Sequence, residues 1–119
     1  MISVVDDDES IRDATRTLLR SVGYTVGIFT SAEHFLDSGA LGQTECLILD
    51  VGMSGMTGLD LQRLLKSADS GVPVIFVTAY DDKAKRRQAI EAGAVDFLCK
   101  PFEASALVAA VQTALTGRE

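Results

Sequence analysis

Five short apolar runs, each followed by a stretch with helical spacing, constrain this chain more than any other feature. The runs are Ile2–Val5, Tyr24–Phe29, Cys46–Leu49, Val72–Val77 and Val95–Cys99. The first, third and fourth are nearly continuous in apolar or β-branched residues, which suits strands buried on both faces of a parallel sheet. Three apolar stripes recur at i, i+3, i+4 spacing: Ile11, Ala14, Leu18, Leu19 and Val22; Leu61, Leu64, Leu65 and Ala68; Leu107, Val108, Val111 and Leu115. Residues 31–37 and 82–92 fit two weaker helices, and the polarity of the second predicts the most exposed helix of the set. Such regular alternation implies an α/β fold, (βα)5, in which a doubly wound parallel five-stranded sheet carries helices on both faces. Five strands fit the order 2-1-3-4-5.

The punctuation agrees. Gly23, Gly71, Gly93 and Gly117 fall just after the expected helices, where a left-handed C-cap is common. Thr57-x-x-Asp60 resembles a capping box with Asp in place of the usual Glu or Gln. Pro73 stands at a strand start, where its missing N–H is tolerated. A chain of 119 residues is read as one domain, 1–119. Surface scaling gives roughly 6,200 Å² folded against roughly 18,400 Å² unfolded, a burial that needs no disulfide or structural metal.

Seventeen acids against eleven bases leave a net charge of -6. That balance disfavours nonspecific nucleic-acid binding, which needs clustered Lys and Arg to displace counterions. The only basic run, Lys83, Lys85, Arg86 and Arg87, reads as a solvated helix face. Cys46 and Cys99 sit in apolar runs and read as buried free thiols in a reducing compartment. His34, beside Phe35 and Leu36, reads as a partly buried structural histidine. With no signal-peptide pattern and no apolar run near 18 residues, the expected location is cytoplasmic, without a membrane partner.

Ligands of open α/β sheets bind beyond the carboxyl ends of the strands, near the point where strand order reverses. Asp6, Asp7, Asp8 and Glu9 follow the first run, Asp50 ends the third, Thr78 follows the fourth, and Lys100 and Pro101 follow the fifth. Asp6, Asp7 and Asp50 would be held close together, and like charges at short range raise pKa values unless a cation intervenes. A hard divalent ion removes the conflict, and Mg²⁺ takes one or two carboxylates while keeping several waters. Asp8 and Glu9 fit a plainer role at the first helix N-terminus, with Asp8 or Ser10 as the cap. Carboxylates beside a Lys and a Thr suit phosphoryl transfer. Asp50, on the middle strand, is the expected nucleophile, carrying the group as an aspartyl phosphate. Lys100 and the metal would neutralise the phosphoryl oxygens while the Thr78 hydroxyl donates a hydrogen bond. Thr78 or Lys100 alone would be unremarkable; the set points to this chemistry.

At these residues the chain resembles the receiver domain of bacterial two-component response regulators. The motifs are Val4-Val5-Asp6-Asp7, Leu47-Ile48-Leu49-Asp50, Val77-Thr78-Ala79 and Lys100-Pro101-Phe102, in order, and the resemblance covers essentially the whole chain. It implies a flavodoxin-like receiver sheet and a phosphoacceptor switch, not a conventional enzyme, that catalyses its own phosphorylation and slow dephosphorylation. Asp50 matches the phosphoacceptor, Asp7 the direct Mg²⁺ ligand (Mn²⁺ serving in its place), and Asp6 its partner acting through metal-bound water. Gly52 matches the residue whose backbone carbonyl ligates the metal. Thr78 matches the hydroxyl that moves toward the phosphoryl group, Lys100 the ion-pairing lysine, and Phe97 the aromatic switch. A cis Lys100–Pro101 peptide is implied, and Gly52 and Tyr80 occupy the positions that tune phosphoryl lifetime. Two departures stand out. Met53-Ser54 replaces the common Met-Pro, which loosens that loop, and Phe97 replaces a frequent Tyr, so it cannot hydrogen-bond.

The implied partners are a sensor histidine kinase or a phosphotransfer protein. A surface of the fourth helix, fifth strand and fifth helix would change shape on phosphorylation and could form a homodimer. DNA contact would come only through a C-terminal output domain; the fourth-helix region and Asp96-Phe97-Leu98 resemble those of receivers that precede a helix-turn-helix DNA-binding domain. Three rivals fare worse. A haloacid-dehalogenase-like phosphatase needs a second Asp where Gly52 stands. A flavodoxin-like FMN carrier needs Ser, Thr and Gly donors where Asp6-Asp7-Asp8-Glu9 stands. A phosphorylation-independent interaction domain leaves the filled site unexplained.

Overall fold

The computed structural model describes residues 1–53, 55–78, 83–100 and 102–116. Strands β1 (Ile2–Val5), β2 (Val26–Phe29), β3 (Cys46–Asp50), β4 (Val74–Thr78) and β5 (Asp96–Cys99) form one parallel sheet in the order β2-β1-β3-β4-β5. Between and after them run α1 (Glu9–Ser21), α2 (Ala32–Ser38), α3 (Gly58–Ser67), α4 (Lys83–Glu91) and α5 (Ala104–Thr116), with a short 3-10 turn at Ala40–Gln43. The expected class and strand order are therefore both observed. Accessible surface is 6305 Å², close to the value that chain length alone predicts for one domain. Among the described residues, no helix is long and apolar enough to cross a membrane.

Strand alternation divides the core in two. Val5, Phe29, Leu47, Leu49, Phe76 and Phe97 point to one face and pack with Phe35, Leu61, Leu65 and Ala89 from α2, α3 and α4. Ile2, Val4, Cys46, Ile48, Ile75 and Val77 point to the other and pack with Leu19, Leu107, Val111 and Ala114 from α1 and α5. Both faces of β1, β3 and β4 are buried, which explains why their sequences read as unbroken apolar runs. Of the nine residues of α4 only Ala89 is buried, as its polarity predicts.

The capping box is present: Thr57 Oγ1 accepts from the Asp60 N–H at 3.1 Å, and Asp60 Oδ2 accepts from the Thr57 N–H at 3.2 Å. Asp8 caps α1 by accepting from the Ser10 and Ile11 amides. Three expected strands begin later than their apolar runs, β5 by the single residue Val95 and the other two by two residues each. Tyr24 is drawn into the end of α1, its N–H donating to the Leu19 carbonyl, so β2 starts at Val26. The Val72 N–H donates to Ser70 Oγ and Pro73 has none to donate, so β4 starts at Val74.

Gly23 and Gly93 take the expected left-handed conformation, but Gly71 does not. After α3 that role falls to Asp69, at φ 58°, because the helix already stops at Ser67 and Asp is among the few residues that tolerate the region. Gly117 lies outside the described residues. Cys46 is buried as expected, whereas Cys99 is only half-buried because it ends an edge strand. His34 is exposed rather than partly buried. It remains structural: Nδ1 accepts from the Thr30 N–H at 3.2 Å, and its ring meets Phe29 edge-on.

At Gly58, the first residue of α3, the helix packs against the strand that ends in Asp50. A Cβ there would stand 2.5 Å from the Asp50 carbonyl oxygen and 3.0 Å from Phe76. Backbone cannot yield as a flexible side chain can. Gly58→Ala is therefore expected to cost about 1–3 kcal/mol in urea unfolding, the usual range for overpacking. Gly42→Ala, with open space around it, is expected to be neutral or slightly stabilising. Equal effects of the two substitutions would refute the close approach.

Candidate functional site

The carboxyl edge of the sheet gathers the charged residues. Asp50 is the last residue of β3 and pairs in register with Val77, while Thr78 pairs with Cys99. Asp6 and Asp7 follow β1, and Lys100 follows β5. Because β1 and β4 flank β3, these side chains converge without any long excursion of the chain.

Asp6 is fully buried, and its two oxygens are divided between two partners. Oδ1 accepts from the Asp8 N–H at 2.9 Å, and Oδ2 accepts from Lys100 Nζ at 2.9 Å. Lys100 Nζ also stands 3.8 Å from Asp50 Oδ2, so one ammonium bridges the two acids. Asp50 Oδ1 accepts from the Gly52 N–H at 3.1 Å. The Asp50 side chain is only 12% exposed, and its pKa is raised above the ordinary carboxyl value. Burial is the main cause; the Gly52 amide opposes it, Asp6 adds to it, Lys100 opposes it, and Asp7 adds to it.

Asp7 stands exposed at the rim. Asp6, Asp7 and Asp50 each offer a carboxylate oxygen, all within 4.8 Å of one another. Among the described residues, Lys100 is the ammonium paired with these carboxylates, reaching Asp6 and Asp50, so the cluster keeps an excess of negative charge. The donors are all hard oxygens, the ligand type that Mg²⁺ prefers. The residues present thus fit a divalent cation.

Thr78 is buried at 7% exposure, and its carbonyl accepts from the Lys100 N–H at 2.6 Å, tying the two site residues through the main chain. Phe97 is 1% exposed and lies 6.2 Å from the Phe76 ring. The Arg86 guanidinium sits over its outer face at 5.2 Å. Gly52 is exposed, with open space where a Cβ would be. Tyr80, Pro101 and Ser54 lie outside the described residues, so the expectations about lifetime tuning at Tyr80, the cis peptide and the loosened loop fall there.

Sequence reasoning missed three contacts. Arg12 Nη1 donates to the Asp6 main-chain carbonyl at 2.7 Å. Glu33 Oε2 accepts from the Met56 N–H at 3.3 Å, linking α2 to the loop after β3. Arg86 covers Phe97. Only the first had a sequence signal: Arg12 lies four residues after the Asp8 cap, and helical side chains lean toward the N-terminus.

Comparison with known proteins agrees with this geometry. A family model described as the response regulator receiver domain matches residues 2–112. The response regulator protein TodT of Pseudomonas putida is 43% identical over 115 residues, which are 97% of this chain and 51% of TodT. The solved structure of response regulator StyR superposes with a TM-score of 0.91 at 43% identity, covering 98% of this chain and 59% of that one. The crystal structure of FixJ-N superposes with a TM-score of 0.87 at 32% identity, covering 97% and 92%. The chain spans about half the length of the curated relatives it matches. With its five-stranded order, its acidic edge and this match across nearly all its residues, the chain belongs to the family of response regulator receiver domains.

Proposed function

We propose that this receiver accepts a phosphoryl group on Asp50 from the phosphohistidine of a sensor kinase or phosphotransfer protein. The observation that carries it is the convergence of three carboxylates within 4.8 Å, with Lys100 bridging Asp6 and Asp50. An Asp50 oxygen attacks phosphorus, an O–P bond forms, the N–P bond of the donor breaks, and the leaving imidazole takes up a proton. Asp6, Asp7, Asp50 and the Gly52 carbonyl would hold Mg²⁺, or Mn²⁺, which supplies charge neutralisation at the phosphoryl oxygens. Lys100 neutralises a further share of that charge, and the Thr78 hydroxyl donates to a phosphoryl oxygen. The Gly52 N–H, already directed at Asp50, keeps the attacking carboxylate oriented.

Phosphorylation then shifts a population rather than building a new fold. Thr78 follows the phosphoryl group, and the balance of Phe97 shifts toward the inward, buried arrangement seen in this structure. The responding surface is α4, β5 and α5, where Lys83, Lys85, Arg86 and Arg87 are exposed. A kinase, an output domain or a second copy would meet it there. Residues 1–119 constitute the receiver unit in this reading, and any DNA contact belongs to an output domain.

The direct test is intact mass after incubation with acetyl phosphate or phosphoramidate. A single phosphoryl adduct is expected with Mg²⁺, lost in EDTA and lost in Asp50→Asn. An adduct that survives Asp50→Asn would assign the acceptor elsewhere.

The raised pKa of Asp50 has a second consequence. A carboxyl whose folded pKa lies above its unfolded value of about 3.9 destabilises the fold while ionised, and the penalty is relieved as pH falls through the folded value. In metal-free buffer near neutral pH, Asp50→Asn is therefore expected to melt higher than wild type. The gap should narrow on acidification, beginning above the ordinary carboxyl range. Added Mg²⁺ should raise the wild-type Tm and leave the variant nearly unmoved. A variant that melts lower than wild type without metal would contradict the charge conflict.

A further inference from the structure

Arg12 is not one of the acidic, hydroxyl or lysine groups of the phosphoacceptor set, yet it holds the turn that carries two of them. Asp6 lies one residue beyond the last paired positions of β1, where Val5 meets Phe29 and Leu49. Its carbonyl therefore stands past the regular ladder, and Arg12 Nη1 donates to it at 2.7 Å. The main chain of Arg12 is tied to the same turn from the other side, its N–H donating to the Asp8 carbonyl at 3.0 Å. One residue thus grips Asp6 with its side chain and Asp8 with its backbone. Asp7 lies between them.

This grip bears on both Asp6 and Asp7. Asp6 must present Oδ1 to the Asp8 amide and Oδ2 to Lys100 at once, so its main chain has little freedom. The Asp7 carboxylate is exposed, so the direction it takes depends on the conformation of the turn beneath it. Arg12 itself is half-buried, and a hydrogen bond from a charged donor in such a setting is among the stronger ones. Nothing comparable would be supplied by a shorter or neutral side chain at this position.

We propose that Arg12 is a positioning residue for the cation site: by fixing the Asp6–Asp8 turn it sets the geometry in which Asp6 and Asp7 receive a divalent ion. The proposal rests on the Mg²⁺-dependent phosphoacceptor function above. It makes a prediction opposite in sign to simple electrostatics. Arg12 is a cation beside a cation site, so removing its charge should tighten Mg²⁺ binding if charge alone matters. Positioning requires that binding weaken.

The test uses the full chain with Arg12→Met, which keeps an apolar stem and removes the guanidinium, and Arg12→Lys, which keeps a charged donor. Isothermal calorimetry with MgCl₂ should give a dissociation constant about tenfold higher for Arg12→Met, the size expected for losing a charged hydrogen bond. Arg12→Lys should recover part of the difference. In metal-free protein, hydrogen exchange at the Asp8 amide, which donates to Asp6 Oδ1, should quicken several-fold in Arg12→Met and less in Arg12→Lys. A lowered Tm with unchanged or tighter Mg²⁺ binding would reduce Arg12 to a structural residue and overturn the proposal. An unchanged Asp8 exchange rate would overturn it as well. Absence of Mg²⁺ binding by the wild-type chain would instead defeat the phosphoacceptor function and this inference with it, so the two failures are told apart.

Discussion

The Lys100 ammonium, held between the buried Asp6 carboxylate and Asp50, is the contact on which the functional edge depends. Asp6 is fully buried, and a buried carboxylate without a partner would neutralise or disrupt the fold. Lys100 at 2.9 Å answers that need, and the Asp8 amide takes the other oxygen. Asp50 is left with the longer contact, 3.8 Å, and with a single amide from Gly52. Asp6 is thereby satisfied at the expense of Asp50, whose pKa is raised mainly by burial. A group that is buried, under-compensated and still open to solvent on one side is one poised to gain a partner. In the proposed function a divalent cation, or a phosphoryl group held by Lys100 and Thr78, would supply that partner.

This arrangement requires the doubly wound sheet. Strand order brings β1 and β4 to either side of β3, so that Asp6 and Thr78 flank Asp50 while Lys100 arrives from the next strand outward. Packing enforces it from below. Phe76 and Gly58 close against the end of β3, and the absence of a side chain at Gly58 lets α3 approach the Asp50 carbonyl. Apolar contacts on both faces of the central strands set where the acids end up, and Asp50 bears the electrostatic cost of being there.

Much of this was legible in the sequence because it depends on periodicity and on position relative to strand ends. Unbroken runs such as Cys46–Leu49 mark strands buried twice, and the residue that ends each run falls at the carboxyl edge. Asp50, Thr78 and Lys100 were legible for that reason. What escaped depends on the path of the chain after an element ends. Tyr24 looked like strand because it is apolar, but its amide closes α1 instead. Gly71 looked like a left-handed cap because it is glycine, but α3 had already ended and Asp69 took the turn. The exposed His34 next to Phe35 shows the limit of inferring burial from neighbours: in a helix adjacent residues face about 100° apart, and only Phe35 points into the core. Glu33 and Arg86 act on a main-chain amide and on a ring face, and no spacing rule announces such partners; only Arg12, four residues after the Asp8 cap, had a signal in its spacing.

The cover that Arg86 gives Phe97 changes how the missing hydroxyl of that residue is understood. With no hydrogen bond to anchor it, an inward Phe97 should rest on burial alone. The structure adds a second contact, since a guanidinium over an aromatic face is attracted to it electrostatically. Arg86 belongs to α4, the most exposed helix, while Phe97 belongs to β5 and packs on Phe76, two residues before Thr78. A chain of direct contacts therefore runs from the floor of the charged edge to a basic outer helix. Coupling along such a chain needs an element with two arrangements whose balance each end can bias. In the proposed switch Phe97 would be that element: an inward tyrosine would have to satisfy its hydroxyl, whereas phenylalanine leaves the inward arrangement to packing and to one exposed arginine, whose surroundings a partner bound at α4 would alter.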